Sequence, residues 1–179
     1  MYGRYIALAL KQYLEIGKIT SVHGLRGEVK VQPWCDDPEF LASFEVLFYK
    51  SGTEVVIEYA RVQKNMVIMK IEGCDSVEEA QKLRNRILFM DRDDVELEKG
   101  CYFVQDLIGM EVRHAETGKV YGRITDVSET GANDVYTIKS DDGKEYLIPA
   151  IPEVIVKNDI ENSLMTIIPL PGLFEEDDE

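Results

Sequence analysis

The stretch GKITSVHGLRGEVKV, residues 17–31, joins two strand-like runs through the short segment HGLRG. In the second run Val29 and Val31 alternate with polar residues, as in a strand that buries one face. Gly24 and Gly27 allow the positive φ values that a tight connection needs. The stretch therefore predicts a hairpin or a bulged loop within a β-rich domain.

Further strand-like runs follow the hairpin, at residues 45–49, 53–62, 66–72 and 87–90. A short helix that starts at Pro38 is predicted within residues 36–44, because proline suits a first helical position. A second helix is predicted over 75–86, where Ser76 and Glu79 form a capping box ahead of apolar residues at helical spacing. We expect the second helix to plug one end of a small β-barrel that occupies residues 11–95.

The second half of the chain also consists of short strand-like runs, after a linker at residues 96–100. The runs are CYFV, DLIGMEV, KVYGRITDVS, DVYTIKS, EYLIPAI, VIVKND and LMTIIPL. Short strands at regular spacing favour a small barrel over a parallel sheet, which would need helical crossovers. We therefore predict an all-β fold of two small β-barrels in tandem with one or two short helices, the second barrel covering residues 101–173. Residues 1–10 are expected to be an N-terminal extension outside the fold, and residues 174–179 a disordered acidic tail.

Charge is distributed unevenly along the chain. The 34 acidic and 20 basic residues give a net charge of −14. Residues 1–100 hold 14 basic and 17 acidic residues, a net of −3, whereas residues 101–179 hold 6 and 17, a net of −11. This charge balance argues against sequence-independent binding of RNA or DNA over a large surface. It favours a basic protein as partner, because acidic surfaces attract cationic ones.

Motifs for catalysis, phosphate binding and metal binding are absent from the chain. None of the patterns GxxxxGK[ST], strand-linked GxGxxG, HExxH or GxSxG occurs. One run begins like a calcium loop, but Val95 stands where the next oxygen ligand should be. The 2 histidines cannot supply a three-histidine metal site. We expect no enzymatic activity, no cofactor and no metal.

The three cysteines, Cys35, Cys74 and Cys101, lie far apart and form no CxxC motif. This spacing indicates reduced, structural thiols in a cytosolic protein. No apolar run approaches the length that spans a bilayer, so we expect a cytoplasmic protein without a membrane segment.

The HGLRG segment carries the first set of candidate binding residues, His23, Arg26 and Lys30. At the end of a barrel, the Arg26 guanidinium could bind a phosphate or a carboxylate through two parallel hydrogen bonds. The same three residues also fit a solvated hairpin, because Lys30 alternates with two valines as any outward residue would. Both interpretations remain open at this point.

The CYFV run carries the second candidate site, Tyr102 and Phe103. Adjacent residues of a strand point to opposite faces, which predicts that one ring faces away from its own barrel. An exposed aromatic ring at the start of a domain is a candidate interface anchor. The alternative is that both rings serve the core.

Five segments in this order resemble the RimM family of bacterial ribosome maturation factors: GKITSVHGLRGEVKV, SVEEAQKLRN, YFVQDLIGMEV, GRITDVSETGANDVYTI and LIPAI. The resemblance covers residues 12–173. It implies an N-terminal barrel similar to those of translation factors and a C-terminal PRC-type barrel. It also implies a non-catalytic factor that helps to assemble the head of the small (30S) ribosomal subunit and supports maturation of 16S rRNA.

The resemblance further implies a partner and a binding site. Members of the family bind the free small subunit through a head ribosomal protein, the nineteenth in small-subunit numbering. The family's aromatic pair, usually two tyrosines and implicated in this binding, falls on Tyr102 and Phe103, so the second hydroxyl is missing here. Cys101 replaces the family's common acidic or polar residue, and Val104 its frequent tryptophan. We also expect a monomer in which His23 and its neighbours in the hairpin contact 16S rRNA or a second protein.

Two other functions are compatible with the residues. One is an adaptor whose acidic barrel binds basic proteins unrelated to the ribosome. The other is an RNA-processing enzyme, which the missing catalytic motifs disfavour.

Overall fold

The computed structural model describes residues 10–98 and 100–174. These residues form two compact units, Lys11–Glu96 and the part of the chain from Leu97 onward. Both units are built mainly of strands, which confirms the predicted fold class. The extension predicted over residues 1–10 lies outside the described residues except for Leu10.

The first unit is a closed barrel in the strand order β1-β2-β5-β4-β3-β6. β6 pairs with both β1 and β3, and these pairings complete the barrel. Its elements are β1 (Tyr13–His23), β2 (Glu28–Pro33), α1 (Pro38–Ala42), β3 (Val46–Phe48), β4 (Glu54–Gln63), β5 (Met66–Ile71), α2 (Val77–Leu83), β6 (Ile87–Asp91) and a 3-10 turn (Arg92–Asp94).

The barrel interior is filled by the alternating apolar residues that the sequence pattern indicates. Leu14, Val29 and Val31 are fully buried, and Leu41 of α1 is buried with them. A Cβ atom on Gly17 would lie 2.8 Å from the Gln32 carbonyl oxygen and 3.2 Å from a Leu41 methyl carbon. Gly17 therefore lets the β1 backbone approach β2 closely where α1 packs into the core.

Helix α2 has the predicted capping box but is shorter than predicted. The Ser76 hydroxyl accepts a hydrogen bond from the Glu79 backbone N–H, and the Glu79 carboxylate accepts one from the Ser76 N–H. The helix packs against β1 and β2. It ends at Leu83, before the predicted end at residue 86, because Arg84 leaves the helical conformation and Asn85 has a φ of 68°.

The second unit is a six-stranded sheet in the order β10-β9-β8-β7-β12-β11. All neighbouring strands are antiparallel except β7 and β12, which are parallel. Its elements are α3 (Val104–Leu107), β7 (Glu111–His114), β8 (Val120–Glu129), β9 (Asp134–Lys139), β10 (Glu145–Pro149), β11 (Ile155–Asp159) and β12 (Leu164–Ile167).

The start of this unit differs from the sequence-based prediction. CYFV and the first part of DLIGMEV were expected to be strands, but residues 104–107 form the helix α3 with Phe103 at its N-cap. The Ile108 N–H donates to the Val104 carbonyl at 3.1 Å, and Gly109, with a φ of 89°, then turns the chain towards β7. The apolar residues of this segment are therefore spaced for one helical turn.

Phe174 corrects the predicted start of the acidic tail. Its ring stacks on Tyr121 with 3.9 Å between centroids and lies 4.8 Å from the Tyr146 ring. Phe174 therefore packs against the core of the second unit, because an aromatic ring gains more from this contact than from solvent. Residues 175–179 lie outside the described residues.

Candidate functional sites

The HGLRG hairpin connects β1 and β2 through residues 24–27. His23 is the last residue of β1 and pairs with Glu28, the first residue of β2. Gly24 and Gly27 have φ values of 65° and 76°. Both glycines therefore adopt the left-handed backbone conformation that the sequence predicts for a tight connection.

Gly27 is also required because the hairpin rests on the segment before α2. A Cβ atom at this position would lie 2.0 Å from the Cys74 carbonyl oxygen, which no real structure tolerates. The buried Cys74 thiol donates a hydrogen bond to the Gly27 carbonyl at 3.2 Å. Burial raises the pKa of this thiol, so it stays protonated and able to donate. The hairpin is thus fixed to a segment 47 positions further along the chain.

Lys70 fixes the other side of the same segment. Its ammonium lies 2.8 Å from the Asp75 carboxylate and 3.6 Å from that of Glu58, although its side chain is almost completely buried. The hydrogen bond to Asp75 raises the pKa of Lys70, which therefore remains charged. Asp75 directly precedes the N-cap of α2, so this ion pair joins β5 to the start of the helix.

The structure places the three predicted residues of the hairpin on or near its outer surface. Arg26 is exposed in the turn, beside the exposed Leu25. His23 is half-buried at the end of β1. Lys30 lies two residues beyond Glu28 on β2, opposite Ser21, and alternates with the buried Val29. Their binding role stays a prediction.

Two residues of β4 that the sequence did not single out lie beside this hairpin. The Glu28 carboxylate accepts a hydrogen bond from the Tyr59 hydroxyl at 3.1 Å and one from the Arg61 guanidinium at 2.5 Å. The bond from Arg61 lowers the pKa of Glu28, so the carboxylate is charged well into the acid range. The only sequence signal is that Tyr59 and Arg61 are two positions apart in a predicted strand, which puts them on one face.

Tyr102 and Phe103 precede α3 and do not lie in a strand, so the argument from strand alternation does not apply to them. The two rings nevertheless differ in exposure: Tyr102 is exposed and Phe103 is partly buried. Two further apolar residues, Val104 and Ile108, are exposed next to Tyr102, while Leu107 is buried in the core.

These exposed residues form a surface that we call the α3 patch: Tyr102, Val104 and Ile108. Their exposed fractions are 36%, 48% and 42%. Val104 and Ile108 are four residues apart across one helical turn, which places them side by side. Several large exposed apolar side chains within residues 102–108 make a candidate interaction site, whereas single ones are common on any surface.

The described residues offer no arrangement suited to metal chemistry. Within residues 10–98 and 100–174, no group of three or more His, Cys, Asp or Glu side chains could hold a metal ion. In the same ranges no helix is long and apolar enough to cross a membrane. Cys35, Cys74 and Cys101 are free thiols.

Two family models match the chain in succession. The RimM N-terminal domain matches residues 14–95, and the RimM PRC barrel domain matches residues 104–173. The first range contains the HGLRG hairpin, and the second contains Val104 and Ile108 of the α3 patch.

Curated proteins and solved structures show the same similarity. The ribosome maturation factor RimM of Clostridium botulinum is 44% identical over 163 residues, which are 90% of this chain and 96% of that protein. RimM of Clostridioides difficile is 39% identical over 166 residues, 91% of this chain and 96% of that protein. A crystal structure of a RimM protein from Pseudomonas aeruginosa is 28% identical, with a TM-score of 0.44 over 87% of this chain and 96% of that one. Because the identity to the curated proteins extends over nearly the whole of both sequences, the chain belongs to the RimM family of ribosome maturation factors.

Proposed function

We propose that this protein is a non-catalytic assembly factor for the small (30S) ribosomal subunit. It acts in the cytoplasm, binds a basic ribosomal protein of the subunit head, the nineteenth in small-subunit numbering, and supports maturation of 16S rRNA. The observation that carries the proposal is the α3 patch, an exposed apolar surface in the strongly acidic half of the chain. The similarity to RimM proteins over nearly the whole chain supports it.

The chemistry of the α3 patch fits a cationic protein partner. Tyr102 offers a large apolar ring with a polar hydroxyl, a combination that is frequent among the residues that dominate binding energies. Val104 and Ile108 extend the apolar area around it. The net charge of −11 over residues 101–179 attracts a basic protein and repels bare RNA. Ribosomal proteins are generally basic, so the apolar contact and the long-range attraction favour the same kind of partner.

Phe103 has a different part in this proposal. Its ring is partly buried at the N-cap of α3. In this proposal the Phe103 ring stabilises α3, and Tyr102 contacts the ribosomal protein directly. The hydroxyl that Phe103 lacks, compared with the family's usual tyrosine, therefore does not weaken binding. Replacing Phe103 is therefore expected to affect both stability and binding, whereas replacing Tyr102 affects binding alone.

Co-sedimentation with purified small ribosomal subunits tests the proposal. Tyr102→Ala is expected to weaken binding at least tenfold, and Tyr102→Ala with Phe103→Ala to abolish it. The matched control is Leu147→Ala, which removes an apolar side chain that is 61% exposed elsewhere in the same unit. Circular dichroism of each variant verifies the fold. Unchanged co-sedimentation of the folded Tyr102→Ala variant, or an equal loss in the Leu147→Ala control, would refute this placement of the site.

A second candidate function is an adaptor for basic proteins unrelated to the ribosome, which the net charge of the second half alone would also support. A pull-down from cell lysate separates the two. Ribosomal proteins and precursor 16S rRNA dominate the captured material if the protein is an assembly factor, and they are missing if it is a general adaptor. Incubation of the purified protein with precursor 16S rRNA and magnesium is expected to give no cleavage, since no catalytic constellation was found in the sequence.

A further inference from the structure

The outward surface of the first barrel carries a second exposed site, on strands β2, β5 and β4. Lys30 and Arg61 have the same cross-strand neighbour, Ile68 of the central strand β5. The two cations therefore lie on either side of one residue, about 10 Å apart at their Cα atoms given the usual strand spacing. Ile68 is fully buried although it alternates with the core residue Val67.

Tyr59 completes this surface, which we call the cationic face: Lys30, Tyr59 and Arg61, with Glu28 among them. Tyr59 is 44% exposed, and the Arg61 side chain is 47% exposed. Glu28 accepts hydrogen bonds from both and is itself mostly buried. The Arg61 guanidinium carbon lies 6.0 Å from the centre of the Tyr59 ring. One carboxylate thus holds an aromatic ring and a guanidinium next to each other at the surface.

The cationic face itself holds one more positive than negative charge. Lys30 and Arg61 are opposed by Glu28 alone within the face. The neighbouring carboxylates, Glu58 and Asp75, share the buried Lys70 ammonium and so bring one negative charge, which makes these six groups neutral in sum. This local balance differs from the net charge of −14 of the chain, of which the first 100 residues account for only −3.

We propose that the cationic face binds single-stranded RNA. Tyr59 stacks on an unpaired base, Arg61 binds a phosphate through the guanidinium donors that Glu28 leaves free, and Lys30 neutralises a second phosphate. The proposal rests on the proposed function in one respect, that the RNA lies on an immature small subunit. It extends the predicted contact at the hairpin to two residues of β4.

An aromatic ring beside a guanidinium suits RNA better than it suits an acidic protein. Stacking on Tyr59 requires a base that is not already stacked in a duplex, so a single strand is favoured over a double helix. The face offers two phosphate contacts at most, and the acidic remainder of the chain repels phosphates. The contact with RNA is therefore local. This agrees with the prediction from the overall charge that the protein does not bind nucleic acid over a large surface.

Fluorescence anisotropy of the full chain with a fluorescein-labelled uridine 15-mer tests the proposal. The wild type is expected to bind at 50 mM KCl and to lose affinity as salt rises. Tyr59→Ala is expected to weaken binding about tenfold, and Tyr59→Phe, which keeps the ring, less than twofold. Arg61→Ala is expected to reduce the slope of log affinity against log salt by about 0.7, the value for one phosphate contact on a single strand.

Arg123 provides a matched control. It also lies on a strand, is exposed and is paired with a glutamate, Glu111, but it belongs to the second unit. Arg123→Ala removes the same charge and is expected to change the affinity less than twofold. If Tyr59→Ala fails to fold, Tyr59→Leu replaces it with the same expected loss, because leucine keeps apolar contact without an aromatic face.

Three results would overturn the proposal. The first is no binding of the uridine 15-mer at 50 mM KCl. The second is equal losses for Arg61→Ala and Arg123→Ala, which would show a dependence on net charge alone. The third is binding of an RNA duplex of the same length as tightly as the single strand. Because the assay contains RNA and no ribosomal protein, its failure leaves the binding of small subunits through Tyr102 untouched.

Discussion

The fit of Gly27 against the segment before α2 makes a quantitative prediction. Alanine at this position must adopt a φ of 76°, which costs about 1–2 kcal/mol for a residue with a Cβ atom. Its Cβ atom would also lie 2.0 Å from a backbone carbonyl oxygen, so the hairpin must move away and lose the hydrogen bond from the Cys74 thiol. With about 1 kcal/mol for that bond, the free energy of unfolding of the first unit is expected to fall by about 3 kcal/mol.

Urea unfolding followed by tryptophan fluorescence measures this loss, because the single tryptophan, Trp34, lies in the first unit. For a unit of this size, 3 kcal/mol corresponds to a fall in melting temperature of roughly 12–24 °C. Gly24→Ala separates the two causes, since Gly24 has a φ of 65° but its Cβ atom would meet only the Glu28 carboxylate at 3.3 Å. That variant is expected to lose about 1 kcal/mol. Equal losses for Gly27→Ala and Gly24→Ala would refute the argument that the hairpin rests on the Cys74 segment.

Two further predictions concern single contacts. Phe174→Ala is expected to lower the stability of the second unit by about 2 kcal/mol, because the ring stacks on Tyr121 and contacts Tyr146. Differential scanning calorimetry measures this, and an unchanged thermal profile would contradict it. Glu28→Gln is expected to destabilise the first unit at pH 7, since Arg61 holds the pKa of Glu28 below its ordinary value of 4.5. The stabilisation by charged Glu28 is present above pH 4.5 and is lost as the pH falls through its lowered pKa. The urea midpoints of wild type and variant are therefore expected to converge in acid. An equal difference between the two midpoints at pH 7 and pH 2 would contradict this.

Local patterns in the sequence predict most of the strands and both helices of the first barrel. Val29 and Val31 alternate as a half-buried strand should, and the Ser76–Glu79 capping box marks the start of α2 within one residue. These features depend on neighbouring residues alone, which explains why a single sequence reveals them. The match to the RimM domains agrees with the predicted order of two barrels.

Features that depend on distant residues were missed or misassigned. The hydrogen bonds from Tyr59 and Arg61 to Glu28 join residues 31 and 33 positions apart, and the alternation within β4 does not indicate which residue of β2 lies beside them. The strand predicted at CYFV is instead the segment that leads into α3, of which only Val104 is helical, because an apolar run this short has no period that distinguishes a strand from a helical turn. The prediction that one aromatic ring is exposed agrees with the exposure of Tyr102, although the reason given for it was wrong.

The parallel pairing of β7 with β12 has a consequence for synthesis of the chain. Val112 lies beside Met165, so the first strand of the second sheet has no partner on that side until more than fifty further residues have been made. During translation β7 pairs with β8 first, and its other edge stays unpaired until β12 has left the exit tunnel. A polypeptide released before β12 is complete therefore keeps an open strand edge, which is a template for pairing with another chain.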